Sequence, residues 1–228
     1  MVMSAERSLY PGPENISRIR KVVGRRMVFY DIDAICEDSL TPVLDKINVD
    51  FLVNIQRTQV TGFDSISRHL FRLRPDLKLS FEQFRAIEWQ YWINPNILSR
   101  AGSVPGIQFL MFMMDCAGIE QNLVTSRNPE LKDITLELKP KYPFINNIYI
   151  RGESQRDLPG DVFKALIVKN NFLVEDFLPN VQRVAKNIGS RIMWLSWPDD
   201  NGTFKSRNVL HVPNSAGNIW PAWARLTQ

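Results

Sequence analysis

The chain is poor in cysteine and histidine and has no long apolar run. Its 228 residues include two cysteines, Cys36 and Cys116, and two histidines, His69 and His211. Two cysteines do not build the disulfide framework of a small secreted domain, and each histidine lacks a partner at the spacing of a zinc site. No apolar run approaches the roughly 20 residues of a membrane span, and the N-terminus has no apolar block of a secretory signal. These absences predict a cytoplasmic protein without a membrane partner.

Positive charge is concentrated at the N-terminus. Residues 1–26 hold six basic and two acidic residues, a surplus that equals the net charge of +4 of the whole chain. Residues 27–228 are therefore formally neutral. One interpretation is a basic arm that contacts nucleic acid, and the other is a solvated leader with a short amphipathic turn. The lack of interleaved aromatic residues favours the second.

Short apolar runs alternate with amphipathic segments along most of the chain. This alternation predicts an α/β fold with a doubly wound, mainly parallel sheet. Strands are predicted at 27–33, 121–125, 145–150, 172–174 and, as the last one, 191–194. Helices are predicted at 42–51, 64–73 with Asp64 as its cap, 81–92, 107–118, 128–138, 161–168 and 179–188.

One long segment interrupts this alternation. Residues 38–100 have helical periodicity and no strong strand signal, so we expect a small helical cap inserted after the first strand. The predicted organisation is an N-terminal arm at 1–26, a core at 27–37 and 101–197, the cap at 38–100, and a C-terminal extension at 198–228. The extension either wraps the body or forms a partner surface, and the oligomeric state stays open.

Charged and hydroxyl side chains recur where the predicted strands end. Carboxyl ends of parallel strands meet at one edge of a sheet, which is where ligands bind in open α/β folds. Asp31 and Asp33 face the same way on an extended segment, and their mutual repulsion invites a cation or a shared proton. The full set is Asp31, Asp33, Thr125, Ser126, Arg127, Lys164, Glu175, Asp176 and Asn180.

These residue types together suit phosphoryl transfer. A carboxylate such as Asp31 can attack a phosphoryl group, and Asp33 can protonate the leaving alkoxide and then activate water. Oxygen ligands from Asp31 and Asp176 suit Mg²⁺. Thr125 and Ser126 can bond phosphoryl oxygens, while Lys164 adds a compact positive charge beside the nucleophile and the phosphate. Arg127 either reaches the substrate or forms a salt bridge at a helix start.

Four segments resemble the motifs of the haloacid dehalogenase superfamily of phosphohydrolases, and the resemblance covers roughly residues 27–195. The segments are Tyr30-Asp31-Ile32-Asp33, Val124-Thr125, Lys164, and Val174-Glu175-Asp176 with Asn180. The resemblance implies that Asp31 is the nucleophile and Asp33 the general acid and base. It also implies that Mg²⁺ is bound by Asp31, Asp176 and the backbone carbonyl of Asp33. Glu175 and Asn180 are expected beside these ligands, where Glu175 holds a metal-bound water or is simply solvated.

Three further segments resemble the 5′-nucleotidase branch that includes the small deoxyribonucleotidases. They are Arg74-Pro75-Asp76-Leu77 with Phe81-Glu82-Gln83-Phe84, Val104-Pro105-Gly106, and Trp194-Leu195-Ser196-Trp197. This resemblance implies a small phosphorylated substrate, a nucleoside monophosphate. A phosphatase acting on DNA or RNA ends is the alternative that the basic arm leaves open.

The first and the last of the four superfamily motifs depart from the family pattern. Ala34 and Ile35 stand where the family usually has Gly followed by Thr or Val, and Glu175 replaces a more common Gly or Asp. Ala34 makes a tight turn less permissive, and Ile35 removes a hydroxyl. These departures motivate a third alternative, a non-catalytic binding or structural protein with the same fold.

Overall fold

The computed structural model describes residues 12–200 and 203–227. Within these residues the strands of the main sheet are all parallel and lie in the order β5-β4-β1-β6-β7-β8, and β2 pairs with β3 in a separate antiparallel ribbon. The strands are β1 Val28–Tyr30, β2 Glu37–Asp38, β3 Gly102–Ser103, β4 Gln121–Thr125, β5 Asn147–Ile150, β6 Phe172–Glu175, β7 Arg191–Leu195 and β8 Val209–Val212. The predicted parallel α/β sheet is confirmed.

The helices lie on both faces of the sheet and in the segment between β2 and β3. They are α1 Pro13–Val23, α2 Leu40–Phe51, α3 Ser65–Leu73, α4 Phe81–Trp92, α5 Pro95–Leu98, α6 Ile107–Cys116, α7 Lys132–Leu136, α8 Leu138–Lys141, α9 Gly160–Val168, α10 Leu178–Val184 and α11 Trp220–Thr227. Ser80 and Gln83 form the expected capping box of α4. Asp64 occupies the N-cap position of α3 as predicted, but its side chain accepts no hydrogen bond from the helix and pairs instead with Arg85 at 3.1 Å.

Alternate residues of the central strands enter two different cores, as the two-residue period of a strand requires. Val28 and Tyr30 of β1 belong to a cluster with α1, α6 and α11. Phe29, between them, belongs to a cluster with α9 and α10 on the opposite face. Both faces of the sheet are thus covered, which explains why its central strands read as unbroken apolar runs.

The segment between β2 and β3 contributes most of a third hydrophobic cluster. Helices α2 to α5 contribute apolar side chains such as Val43, Ile47, Leu70 and Phe84 to this third cluster. The antiparallel pairing of β2 with β3 brings the two ends of the segment together. The helical insertion is therefore joined to the sheet by a two-stranded stem and has an apolar cluster to which Leu131 and Trp197 also contribute, and we refer to residues 38–100 as the cap.

Both ends of the described chain pack against the sheet. Ile19 and Val23 of α1 are fully buried, and Arg20 and Arg26 donate to the carbonyl oxygens of Ala117 and Gly189 at 2.9 Å. Residues 13–23 therefore form a docked helix rather than a free arm. Residues 1–11 of the expected arm lie outside the described residues.

Three predicted elements need correction. The strand at 191–194 is not the last, because β8 of the C-terminal extension pairs with β7 in parallel. The helix predicted at 128–138 is divided into a 3₁₀ turn, α7 and α8. The helix predicted at 179–188 ends at Val184, because the amides of Lys186 and Asn187, which follow the C-cap residue Ala185, bond three residues back in a tighter turn.

Within residues 12–200 and 203–227, no helix is long and apolar enough to cross a membrane.

Candidate active site

The parallel register brings the ends of β1, β4 and β6 to one edge of the sheet. Tyr30, the last residue of β1, pairs with Leu123 of β4 and Val174 of β6. Asp31 follows directly, and its N–H donates to the carbonyl oxygen of Val174 at 3.0 Å. The three strands therefore deliver carboxylate and hydroxyl side chains to the same place, as the sequence predicted.

Three carboxylates and one ammonium group lie close together at this edge. Carboxylate oxygens of Asp31, Glu175 and Asp176 all lie within 4.8 Å of one another. Lys164 Nζ lies 2.8 Å from Asp31 Oδ2 and 2.7 Å from Glu175 Oε2. All four side chains are buried. With every group ionised, the cluster carries two negative charges in excess of its one positive charge.

The pKa values reflect this excess. Burial, and then the charge of Glu175, raise the pKa of Asp31 well above its usual range. Burial and the charge of Asp31 raise the pKa of Asp176 to about 8. Burial alone would lower the pKa of Lys164, but the two carboxylates beside it raise that pKa above its ordinary value. Lys164 is therefore a permanent cation that only partly offsets the carboxylates.

Two local features set the positions of Lys164 and Glu175. A Cβ atom at Gly160 would lie 2.7 Å from Ser126 Cβ, so glycine lets the first turn of α9 pack directly on the end of β4. Lys164 lies one turn further along α9. The Glu175 carboxylate accepts hydrogen bonds from Asn180 Nδ2 and from the Phe177 N–H, each at 3.1 Å.

The donor set fits a divalent cation such as Mg²⁺. Carboxylate oxygens are the ligands that Mg²⁺ prefers in proteins. The excess of two negative charges is the charge that such an ion would neutralise. Asp31 and Asp176, the two predicted side-chain ligands, lie in this set, and their binding of Mg²⁺ stays a prediction. Glu175, expected beside the ligands, belongs to the same group of converging carboxylates.

The side chain of Asp33 lies outside this cluster of carboxylates. Arg127 Nε donates to Asp33 Oδ2 at 3.0 Å and Arg127 Nη2 to Oδ1 at 2.5 Å, while the Ser39 hydroxyl donates to the same carboxylate. Burial alone would raise the pKa of Asp33, but the charge and hydrogen bonds of Arg127 outweigh it and lower that pKa. Arg127 thus forms a salt bridge, and its partner is Asp33. Metal binding by the Asp33 backbone carbonyl stays a prediction.

The two hydroxyl residues lie at the same edge. Thr125 is buried, and its Oγ1 accepts the N–H of Arg127 at 3.1 Å. Ser126 is half-buried and lies against Gly160. A role for either hydroxyl in binding phosphate stays a prediction.

The departures in the first motif have structural explanations. Ala34 adopts φ +61°, the left-handed conformation that glycine adopts most easily. Its N–H donates to Glu37 O and its carbonyl accepts from Gly217 N–H, both at 2.9 Å. Ile35 is fully buried in the apolar core, where a hydroxyl would lack water. Cys36 is a packed thiol whose pKa burial raises.

Sequence reasoning missed two contacts of the site. Trp197 Nε1 donates to Asp176 Oδ2 at 2.8 Å, although the sequence offered only the Trp194–Trp197 segment as a signal. Ser39, at the start of α2, bonds to Asp33 from the cap side. The histidines lie elsewhere, since His69 contacts Gln59 and His211 stacks on Trp194.

Comparison with solved structures identifies the fold. No family model matches this chain, and no curated protein matches it at a significant level. A haloacid dehalogenase family hydrolase from Deinococcus radiodurans, with bound phosphate and sodium, superposes with a TM-score of 0.58 at 12% identity, over 88% of this chain and 96% of its own. A haloacid dehalogenase-like hydrolase from Streptococcus pneumoniae gives 0.53 at 11% identity, over 83% and 94%. The fold is therefore that of haloacid dehalogenase-like hydrolases.

A third structure of the same fold contains a metal ion. A protein from Bacillus subtilis that is classed with the same hydrolases and bound to magnesium superposes with a TM-score of 0.50 at 12% identity, over 82% of this chain and 92% of its own. At such low identity the likeness concerns the fold alone.

Proposed function

We propose that this protein is a Mg²⁺-dependent phosphomonoester hydrolase that works through an aspartyl-phosphate. The observation that carries the proposal is the buried cluster of three carboxylates and one lysine at the carboxyl edge of the sheet. The Deinococcus radiodurans hydrolase with bound phosphate and the Bacillus subtilis protein bound to magnesium have the same fold and support it.

Asp31 is the proposed nucleophile. Its carboxylate oxygen attacks phosphorus, the bond from phosphorus to the ester oxygen breaks, and the alcohol leaves with a proton. Water then cleaves the acyl phosphate, which releases inorganic phosphate and restores the carboxylate. Lys164, 2.8 Å from Asp31, positions the nucleophile, and its charge favours the ionised form against burial and the charge of Glu175.

Asp31, Asp176 and the neighbouring Glu175 are the side chains proposed to hold Mg²⁺. When bound, the ion supplies Lewis-acid neutralisation of the phosphoryl oxygens. Thr125 and Ser126 are proposed to bond those oxygens from the end of β4. Asn180 keeps Glu175 in place.

Asp33 is the proposed general acid and base. Its pairing with Arg127 and Ser39 favours the carboxylate, which is the form that accepts a proton from water. Protonating a leaving alkoxide needs the acid form. We therefore expect the Arg127 pairing to be exchanged for a substrate contact during the first step.

For the substrate, we propose a small phosphomonoester. Nucleoside monophosphates follow from the resemblance to the 5′-nucleotidase branch. Short phosphorylated acids are the class to compare with them, since a protein from Lactobacillus delbrueckii classed with phosphoglycolate phosphatases superposes with a TM-score of 0.53 at 13% identity. DNA or RNA ends receive less support, because Arg20 and Arg26 of the N-terminal segment bond to carbonyls of the body. A cytoplasmic location also stays a prediction.

A phosphate-release screen with and without Mg²⁺ tests the proposal. Nucleoside monophosphates, phosphoglycolate and phosphorylated oligonucleotides are compared as substrates. We expect Mg²⁺-dependent release by the wild-type protein and a loss of at least about 10³-fold in Asp31→Asn, because the nucleophile is gone.

The matched control is Asp133→Asn, which changes an exposed carboxylate on α7. It should keep wild-type activity. Substantial turnover by Asp31→Asn would overturn the assignment of the nucleophile. The absence of any phosphate release across the panel would favour the non-catalytic alternative.

A further inference from the structure

Trp197 connects the cap to the carboxylate cluster. Its indole Nε1–H donates to Asp176 Oδ2 at 2.8 Å. Its ring also belongs to the hydrophobic cluster of the cap, although the residue follows strand β7 of the sheet. Trp197 therefore contacts a proposed metal ligand with its polar edge and the cap with its apolar body.

The residues next to Trp197 are attached to the cap as well. The Asp199 N–H donates to Thr61 O at 2.9 Å, and the Asp199 carboxylate pairs with Arg68 of α3. Trp197 and Asp199 thus both contact the cap. A displacement of the cap would move these two residues or break these contacts.

An aromatic group extends the same connection. The ring of Phe63, in the cap, lies 6.1 Å from the ring of Trp197 and 4.3 Å from that of Phe177. Phe177 directly follows Asp176 in sequence. Phe63 of the cap therefore packs against Trp197, which donates to Asp176, and against Phe177, which follows Asp176 in sequence.

The Trp197 indole donates its hydrogen bond to the side-chain carboxylate of Asp176 and not to the backbone. Trp194 already donates to the backbone carbonyl of Asp176 at 3.2 Å from within the sheet. What Trp197 adds is a fixed rotation of the carboxylate. Hydrogen bonds from outside the ligand set orient metal-binding carboxylates in this way.

We propose that Trp197 is a positioning residue that orients Asp176 for Mg²⁺ only while the cap is seated, so that metal binding and cap closure favour each other. This inference rests on the proposed function, since it takes the carboxylate cluster as the Mg²⁺ site. Coupling between two events is reciprocal, so a change in the cap that loosens Trp197 must weaken Mg²⁺ binding.

Isothermal titration with Mg²⁺ tests the positioning role directly, without a substrate. In Trp197→Phe we expect the affinity for Mg²⁺ to fall by about 10- to 100-fold. The change in tryptophan fluorescence on adding Mg²⁺ should shrink in the same variant. The matched control is Trp92→Phe, which removes an indole bond of 3.1 Å to a different buried carboxylate, Glu88 in the cap. Its Mg²⁺ affinity should stay unchanged.

A second pair of variants tests the coupling to the cap. Phe63 and Phe71 are both cap phenylalanines that are 50% exposed, but only Phe63 of the two has a ring contact with Trp197. We expect Phe63→Ala to weaken Mg²⁺ binding by about 5-fold and Phe71→Ala to leave it unchanged. In the Trp197→Phe background, Phe63→Ala should have no further effect.

The outcomes separate the two proposals. A wild-type protein that binds no Mg²⁺ overturns the proposed metal site itself. Wild-type binding that Trp197→Phe leaves unchanged overturns the inference alone. If circular dichroism shows that Trp197→Phe does not fold, the Phe63 and Phe71 pair decides, and equal affinities in that pair overturn the coupling.

Discussion

The two carboxylates of the first motif have opposite electrostatic surroundings although one residue separates them. Asp31 shares a buried cluster with two further carboxylates and one lysine, and its pKa is raised. Asp33 is matched by Arg127 and Ser39, and its pKa is lowered. The difference teaches where a cation belongs: only the surroundings of Asp31 carry a surplus of negative charge.

The surroundings of Asp31 and those of Asp33 are suited to different chemical roles. A surplus of charge in a buried cluster costs folding free energy unless a ligand neutralises it, so the Asp31 side is suited to binding a metal. The Asp33 side is balanced by the protein itself and is suited to positioning a proton-transfer group. Variants that change the surroundings of one carboxylate and leave those of the other intact test this distinction.

The largest effect on stability is expected from Lys164→Met. It leaves three buried carboxylates without the ammonium that pairs with two of them. We expect the free energy of unfolding without metal to fall by about 3–5 kcal/mol. Urea denaturation in the presence of a chelator measures this. The exposed Lys186, changed to Met, is the control, and an equal loss in both variants would contradict the account.

The next expected effect is a dependence on pH that Mg²⁺ reverses. Burial raises the pKa values of Asp31 and Asp176, the latter to about 8, so the folded protein retains protons that the unfolded chain releases above about pH 3.9. Without metal, this contribution to stability falls as the pH rises toward about 8. Metal ligands must be ionised, so Mg²⁺ affinity rises over the same range.

Thermal and urea denaturation at a series of pH values, with chelator or with Mg²⁺, measure this reversal. At a Mg²⁺ concentration of 100 times its dissociation constant, the gain is about 2.7 kcal/mol. Mg²⁺ affinity that is independent of pH between 5 and 8 would show that the raised carboxyl groups are not the ligands.

A smaller effect on stability is expected from Arg127→Gln, which removes the charge that pairs with Asp33. The pair with Asp33 is partly exposed, so we expect a loss of about 1 kcal/mol at neutral pH. The lowered pKa of Asp33 contributes stability above the unfolded value of about 3.9, and this contribution is lost as the pH falls through the folded value. The difference between wild type and variant should therefore shrink in acid. A difference that grows on acidification would refute the pairing.

The smallest effect is expected from Ala34→Gly, next to Asp33. Glycine relieves the left-handed conformation at φ +61° but adds freedom to the unfolded chain, for a net gain of about 0.5 kcal/mol. Ala185→Gly is the control, because Ala185 has φ −62° and should only lose stability. Urea denaturation compares the two, and equal losses would show that Ala34 is unstrained.

The sequence predicted those residues of the site that are positioned by the parallel sheet alone. Asp31 and Asp176 directly follow strands and Thr125 ends one, so parallel pairing was enough to bring them together. Lys164 was predictable because it lies one turn into a helix that enters at the same edge. The charge surplus around Asp31 was not predicted, because the sequence suggested Asp31 and Asp33 as the repelling pair, whereas Asp33 is paired with Arg127 and the excess lies with Glu175 and Asp176.

The remaining contacts depend on loops and on the cap. Arg127 had two open roles, and its pairing with Asp33 required the turn after β4. Trp197 reaches Asp176 from a segment that follows another strand, a contact that no local pattern encodes. Strand β8 was missed because its short apolar run follows an irregular stretch, and the burial of α1 depends on contact with α11.

The most direct test of the account is a crystal structure with Mn²⁺ in place of Mg²⁺, with anomalous scattering used to locate the ion. Mn²⁺ accepts the same oxygen ligands. The account predicts one peak coordinated by Asp31 and Asp176, with Lys164 still paired to Asp31. A peak beside Asp33 and Arg127, or no peak at the Asp31 cluster under saturating metal, would contradict it.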